Sequence, residues 1–141
     1  IQERFADLNE SNRNEVISDT RSHVMEMLKK TIRPEFLNRI DDIIMFLPLT
    51  KPQIAQVVTL QMNRVKKMLE PQGFELKWTP QTVNFLSDVG YDPEFGARPV
   101  KRAIQKYVLN DLSKAILAEK VNRDKPIIVD CFGDGLVFRN K

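Results

Sequence analysis

The chain has 141 residues, of which 22 are basic and 19 acidic, and its net charge is +3. This length is sufficient for a domain with a hydrophobic core, and the nearly balanced charge argues against nucleic acid or an anionic membrane as a partner. No run approaches the ~20 apolar residues that a membrane-spanning helix needs. The single cysteine, Cys131, cannot form an internal disulfide, and its apolar neighbours predict a small core residue.

The first part of the chain predicts helices followed by a buried strand. Amphipathic spacing predicts a helix over 12–31, on which His23 is a solvated residue, and Pro34 favours a short helix after it. The run DDIIMFLPL at 41–49 is almost continuously apolar after its two aspartates, which predicts a strand buried on both faces of a parallel sheet. No neighbouring strand is evident, and the chain begins IQERF without methionine. We therefore expect these residues to be part of a larger α/β domain.

A second unit begins near 48–50 with a strong helix-start pattern. Thr50 and Gln53 have the spacing of a capping box, and Pro71 and Gly73 predict the end of the helix that they open. This unit therefore starts with a long amphipathic helix.

The next elements alternate in type. The pattern FELKW at 74–78 predicts a half-buried strand. Thr79 and Pro80 then predict the start of a helix with Val83, Leu86 and Val89 facing inward and Gly90 as its C-terminal stop.

The chain ends with a helix and a predicted hairpin. Apolar residues at helical spacing predict a helix from Pro99 to Glu119. Two strands, 126–132 and 136–139, are joined by Gly-Asp-Gly. The order from residue 49 predicts a small α+β domain with a three-stranded sheet.

The sequence lacks the motifs of a self-contained catalyst. Its five glycines form no G-x-x-x-x-G-K-[ST] phosphate loop, and no cluster of metal ligands is visible. IIVD at 127–130 resembles the strand half of a magnesium-binding motif, but Cys131 follows where a catalytic glutamate is usually needed. A core strand explains this run better.

The stretch YDPEFGARPVKRAIQKYV at 91–108 has the features of an anion site. Gly96 allows a sharp turn, and Pro99 suits the first position of a helix. Arg98 should then lie where free backbone N–H groups and the helix dipole favour an anion. A cation is unfavourable there unless a phosphate or an acidic group meets it. The alternative is a surface arginine that pairs with Glu94.

Arg39 is a second candidate for binding an anion. It follows a predicted short helix and precedes the apolar run, at the edge of a domain. A guanidinium group is always charged and forks onto phosphate oxygens, so it can stabilise the charge that develops in phosphoryl transfer in a neighbouring unit. The alternative is a salt bridge to Asp41 or Asp42.

Two motifs together, RPEFLNRIDDIIMFLPL and GYDPEFGARPVKRAIQ, resemble the C-terminal half of the second ATPase module of a Clp-type AAA+ protein. The resemblance implies that residues 1–48 end the large AAA+ subdomain and that residues 49–141 form the small, or lid, subdomain. It also implies that Arg39 is an arginine finger acting on the ATP of the adjacent subunit. Arg98 would be the sensor-2 arginine, which contacts the nucleotide of its own subunit.

The same resemblance implies further nucleotide-binding positions. Gly96 and Ala97 directly precede the sensor-2 arginine, and Ile54 lies in the first turn of the helix that often borders the adenine. The nucleotide would be ATP or ADP with Mg²⁺ in the full-length protein. Because this sequence lacks Walker A and B motifs, we expect it to bind no nucleotide tightly and to be inactive alone.

Within the Clp-type proteins, this chain resembles the ClpB-type disaggregases. IQERF is typical of them, and residues 1–32 contain no glycine, so the docking loop of protease-coupled relatives is absent. The resemblance implies a cytoplasmic homohexameric ring that threads unfolded or aggregated polypeptide with an Hsp70-type chaperone system, without nucleic acid or a membrane. The alternatives are the ATPase subunit of a protease-coupled Clp unfoldase and a stand-alone protein-interaction module.

Overall fold

The computed structural model describes residues 12–141. The chain divides into two compact units, Ile1–Pro48 and Leu49–Lys141. In the first unit, helix α1 spans Arg13–Thr31 and the short helix α2 spans Pro34–Leu37. Both predicted helices are confirmed, and His23 is exposed as expected. The IQERF segment lies outside the described residues, and the assignment of this unit to a large AAA+ subdomain stays a prediction.

The predicted strand over 41–49 does not form, so this prediction is wrong for this structure. Residues 40–50 have no regular secondary structure, and the side chains of Ile44 and Phe46 are 72% and 89% exposed. A strand needs a neighbour to satisfy its backbone N–H and C=O groups. Within residues 12–141, no strand pairs with this run. An apolar sequence alone therefore does not produce the strand.

The second unit, which is described in full, has the predicted order of elements. In chain order these are α3 (Lys51–Leu69), a 3₁₀ turn (Glu70–Gln72), β1 (Leu76–Trp78), α4 (Pro80–Gly90), α5 (Pro99–Ala103), a π-helical segment (Ile104–Asn110), α6 (Asp111–Leu117), β2 (Ile127–Phe132) and β3 (Gly135–Asn140). Helices and a mixed sheet together confirm the predicted α+β fold class.

The sheet of this unit has the strand order β1-β2-β3. β1 and β2 are parallel, with Leu76 opposite Ile127, whereas β2 and β3 are antiparallel. Phe132 pairs with Gly135 across a two-residue turn, which confirms the predicted hairpin. The parallel pair requires a crossover connection, and α4 to α6 provide it.

Helix α3 begins and ends as its sequence predicts. The Thr50 hydroxyl accepts a hydrogen bond from Gln53 N at 3.4 Å, and the Gln53 side chain accepts one from Thr50 N at 2.9 Å. After the 3₁₀ turn, Gly73 adopts a left-handed conformation with φ of 85°. That conformation is costly for residues with a Cβ, so glycine suits the position at which the chain turns toward the sheet.

One hydrophobic core joins the helices to the sheet of the second unit. Its buried members are Ile54, Val58, Met62, Val65, Leu69, Phe74, Leu76, Leu86, Val100, Ala103, Ile104, Val108, Leu112, Ala115, Val121, Ile127 and Val129. This core packs α3, α4, α5 and α6 against the sheet.

The predicted helix over 99–119 contains an unexpected π-helical segment and ends at Leu117. Its core face passes through Val100, Ile104, Val108 and Leu112, in three successive steps of four residues. In an α-helix each such step turns the side chain about 40° away from the previous one. The wider i→i+5 turns of the π-helical segment offset this rotation, so all four residues face the core.

Helix α4 buries Leu86 as predicted, and Val83 packs against the core, but the prediction that Val89 faces inward is wrong. Thr82 and Leu86 are fully buried, whereas Val89 is exposed and Val83 is only half-buried. Thr82 is accommodated because its hydroxyl donates a hydrogen bond to the Val129 carbonyl at 2.8 Å. A polar residue therefore occupies a core position that the apolar pattern did not indicate.

Gly90 ends α4, but not by adopting a left-handed conformation. A Cβ on Gly90 would lie 2.9 Å from Val100 Cγ2 and 3.0 Å from Val100 Cα. The missing side chain thus allows α4 and α5 to pack closely. This contact fixes where α5 begins relative to α4.

We predict that Gly90→Ala lowers the free energy of unfolding by about 1–3 kcal/mol, as overpacking does. Because the contact involves a backbone atom of Val100, a rotamer change cannot relieve it. Urea unfolding of the chain measures the effect. Gly135→Ala is the matched control, since its Cβ would meet no atom within 4 Å and its φ is not positive. Equal stability of both variants and the parent would contradict the prediction.

Candidate functional site

A closed turn over Asp92–Gly96 precedes Arg98. Asp92 N donates a hydrogen bond to the Gly96 carbonyl at 3.0 Å, and Gly96 N donates one to the Asp92 carbonyl at 2.7 Å. Inside the turn, Asp92 Oδ1 accepts hydrogen bonds from Glu94 N at 2.8 Å and Phe95 N at 3.0 Å. One carboxylate oxygen therefore organises the backbone that leads to the arginine.

Gly96 and Ala97 shape the exit from this turn. Gly96 has φ of 64°, a left-handed conformation in which glycine is favoured. Ala97 is half-buried against the hydrophobic core. The Gly96 N–H is already used within the turn, so contact between these two residues and a nucleotide stays a prediction.

Arg98 lies at the entrance of α5, as predicted, but the backbone around it is not free. Arg98 N donates to the Phe95 carbonyl at 3.3 Å, Val100 N donates to the Ala97 carbonyl at 3.1 Å, and Pro99 has no N–H. The N–H groups of Arg98 and Val100 are therefore used within this turn and are not free to bind an anion. The guanidinium group remains as the donor that can bind an anion.

The Arg98 side chain is exposed and lines a cavity of about 380 Å³ with Phe95, Pro99 and Arg102. In the part of the chain that the structure describes, no carboxylate oxygen lies within 4.0 Å of its guanidinium group. The alternative pairing with Glu94 is thus not formed. Arg98 has its full set of donors available for a ligand.

Ile54 lies at a second and larger cavity, of about 550 Å³, at the start of α3. Its side chain is almost fully buried, so only a small part of it can touch a ligand. The other lining residues are Leu49, Lys51, Ala55, Asn84, Ser87, Asp88 and Tyr91. The cavity thus combines apolar side chains with four polar or charged ones, Lys51, Asn84, Ser87 and Asp88.

Tyr91 is a residue of this site that the sequence motifs did not indicate. Tyr91 directly follows α4, directly precedes the Asp92 turn, and is 41% exposed. An aromatic residue beside Asp92 in the same loop as Arg98 could have been recognised from the sequence. The same loop thus supplies a wall of the larger cavity and the arginine of the smaller one.

Arg39 lies in the first unit, just after α2. Arg39 N donates to the Phe36 carbonyl at 3.1 Å, and its side chain is exposed. Among the described residues, neither Asp41 nor Asp42 forms an ion pair with it. The salt-bridge alternative is therefore not formed.

Cys131 and Asp130 have structural surroundings. Cys131 is half-buried near the hairpin, so the prediction of a core residue is wrong. Asp130 Oδ1 accepts hydrogen bonds from the Thr79 hydroxyl at 2.9 Å and from Cys131 N at 2.8 Å, and Arg139 lies 3.4 Å from Oδ2. The IIVD run therefore serves the sheet and the start of α4.

Residues 12–141 contain neither a cluster of metal ligands nor a membrane-spanning helix. No three histidine, cysteine, aspartate or glutamate side chains come together there as a metal site. No helix in that range is both long and apolar enough to cross a membrane.

Comparison with known proteins identifies the second unit. A family described as "C-terminal, D2-small domain, of ClpB protein" matches residues 49–129, which is more than half of the chain. The chain belongs to the ClpB family. The predicted resemblance to ClpB-type proteins and the predicted small-subdomain fold are thereby confirmed.

The similarity to ClpB proteins extends over the whole sequence. The chain is 64% identical over 140 residues to "Chaperone protein ClpB" of Bacteroides thetaiotaomicron, covering 99% of this chain and 16% of that protein. It is 47% identical over 141 residues to the protein of the same name from Porphyromonas gingivalis, again covering 16% of the relative. "Probable chaperone protein ClpB 1" of Chlorobaculum tepidum is 36% identical and is covered to 32%. The chain thus spans a sixth to a third of these relatives.

We predict that Asp92→Ala loosens the turn before Arg98 and lowers the free energy of unfolding by about 1 kcal/mol, because two backbone donors lose their acceptor. Amide exchange at Glu94 and Phe95 should accelerate, and urea unfolding measures the stability. Asp92→Asn is the control, since its amide oxygen can accept both hydrogen bonds. Unchanged amide exchange in Asp92→Ala would show that the carboxylate does not hold the turn.

Proposed function

We propose that this chain is the C-terminal part of an ATP-dependent chaperone that disaggregates proteins, and that residues 49–141 are the lid of its second ATPase module. Family membership supports the lid assignment. The relatives named above are called chaperones, which favours a disaggregase over the ATPase subunit of a protease. Lacking Walker motifs, residues 1–141 alone should neither bind ATP tightly nor hydrolyse it.

The observation that carries the proposal is the free guanidinium of Arg98 beside a cavity. The Asp92 turn holds its backbone, and no described carboxylate neutralises its charge. An arginine held in this way can fork onto phosphate oxygens. As the sensor-2 residue, Arg98 would bind the phosphates of its own subunit's nucleotide and link them to the position of the lid.

The larger cavity provides a suitable surface for the nucleobase. Ile54 and Leu49 contribute apolar surface, and Tyr91 contributes an aromatic ring. Gly96 and Ala97 would border the nucleotide through the turn that they form. ATP with Mg²⁺ would supply the phosphoryl chemistry. We propose that the residues that bind Mg²⁺ lie outside these 141 residues.

Arg39 would act as an arginine finger on the nucleotide of the adjacent subunit. It is exposed on an ordered helical turn and forms no ion pair within the described residues. A guanidinium group that approaches a neighbour's ATP stabilises the charge that develops during hydrolysis. This role requires a ring, and we propose a homohexamer.

The remaining partners follow from the same proposal. The ring would thread unfolded or aggregated polypeptide in the cytoplasm, together with an Hsp70-type chaperone system. We propose no nucleic-acid or membrane partner, because the charge of the chain is nearly balanced.

We predict that Arg39→Ala in the full-length protein, with the other ATPase module inactivated, lowers hydrolysis by ~10³–10⁵-fold. Nucleotide affinity should stay close to that of the parent, since a finger from a neighbour acts on the transition state. Steady-state ATPase assays and equilibrium titration with nucleotide measure the two quantities. Near-normal turnover would contradict the assignment.

Mixed rings test whether Arg39 acts between subunits. Arg39→Ala subunits are combined with subunits whose own site is inactivated at the Walker B carboxylate. If Arg39 acts in trans, mixing restores hydrolysis, because each Arg39→Ala site next to an intact finger becomes active. Hydrolysis no greater than the sum of the separate variants would show that the finger does not act across the interface.

We predict that Arg98→Ala weakens nucleotide binding or uncouples binding from hydrolysis. Arg98→Lys is the matched variant, because it keeps the charge but loses the fork that binds two phosphate oxygens. It should fall between the parent and the alanine variant. Unchanged affinity and rate in Arg98→Ala would exclude a sensor-2 role.

A further inference from the structure

We propose that Arg102 is a second phosphate-binding residue, which acts beside Arg98 on the same polyphosphate. The inference rests on the proposed function of Arg98 and extends it to a residue outside the GAR motif. Its basis is the placement of two exposed guanidinium groups at one cavity.

The two arginines lie on the same side of one helical turn. Arg98 has helical dihedral angles, φ −55° and ψ −41°, and α5 continues regularly to Ala103. Residues four positions apart are therefore displaced by about 6 Å along the axis and point in similar directions. Both line the cavity of about 380 Å³ with Phe95 and Pro99. The two side chains can thus reach different phosphate groups of one ligand.

The charges at this cavity are not balanced by the described part of the chain. Neither Arg98 nor Arg102 has a carboxylate oxygen within 4.0 Å there. Asp92 uses an oxygen to hold the turn, and Glu94 forms no ion pair in that part. Like charges four residues apart destabilise a helix. An anion with several charged oxygens would remove this repulsion and would engage both forks.

Packing does not explain Arg102. The core face of α5 consists of Val100 and Ala103, whereas Arg102 is exposed. Its side chain therefore contributes little to the fold, and replacing it should leave stability within about 0.5 kcal/mol of the parent. This makes a binding measurement on the variant interpretable.

The neighbouring Lys101 provides a matched control. It carries the same charge and is also exposed, but it lines a separate groove with Gln61, Arg64 and Gln105. If only the net charge of the helix mattered, the loss of Lys101 and the loss of Arg102 would have equal effects.

The experiment compares Arg98→Gln, Arg102→Gln, Arg102→Lys and Lys101→Gln in the full-length protein with the other ATPase module unable to bind nucleotide. Isothermal titration with ADP and with a non-hydrolysable ATP analogue measures affinity, and sedimentation measures ring assembly. We expect Arg102→Gln to weaken binding roughly tenfold, the effect of one charge-assisted hydrogen bond. Arg102→Lys should lose less, and Lys101→Gln should bind like the parent.

The outcomes separate this inference from the proposed function. If Arg98→Gln weakens binding but Arg102→Gln behaves like Lys101→Gln, Arg102 is not a phosphate ligand and the sensor-2 proposal stands. If neither arginine variant affects affinity in these titrations or hydrolysis in steady-state ATPase assays, the sensor-2 role proposed for Arg98 fails as well. If Arg102→Gln binds nucleotide normally but assembles poorly, Arg102 pairs with an acidic group of another subunit, which also overturns the inference.

Discussion

The arrangement of the second unit depends on the close contact between Gly90 and Val100. It brings α4 against α5, so the chain between them must reverse direction within a short distance. The Asp92 turn makes this reversal, with its carboxylate holding two backbone donors. Arg98 follows directly, and its position is therefore set by backbone packing on one side and by a polar turn on the other.

The interactions that stabilise the fold of the second unit do not involve the side chains proposed to bind a ligand. The scaffold is stabilised by a continuous apolar core and by a few buried hydrogen bonds, such as that from Thr82 to Val129. At the surface of this scaffold, Arg98 and Arg102 make no ion pairs in the described residues. Structure and charge are thus divided between opposite faces of α5, which allows the arginines to serve a ligand without supporting the core.

The sequence allowed most of the second unit to be predicted, because its signals are local. Thr50 and Gln53 form the expected capping box, and alternation and turn residues located the strands. Predictions failed where distant contacts decide the outcome. The run 41–49 forms no strand without a partner, and α4 buries Thr82 with Leu86 while Val89 is exposed. Arg98 and Arg39 were proposed as site residues from sequence motifs. The hydrogen bonds that occupy backbone N–H groups just before α5 depend on the geometry of the turn, which the motifs do not specify.

The π-helical segment has a consequence for how this chain can vary in length. The wide turns between Ile104 and Asn110 keep four core residues that are spaced evenly by four on one face. If the chain were one residue shorter here, one interval between these core residues would be three residues instead of four. An ordinary α-helix would then bury the same side chains. A chain one residue longer would need a still wider turn. A one-residue deletion in this segment is therefore compatible with the same buried face, whereas an insertion is not.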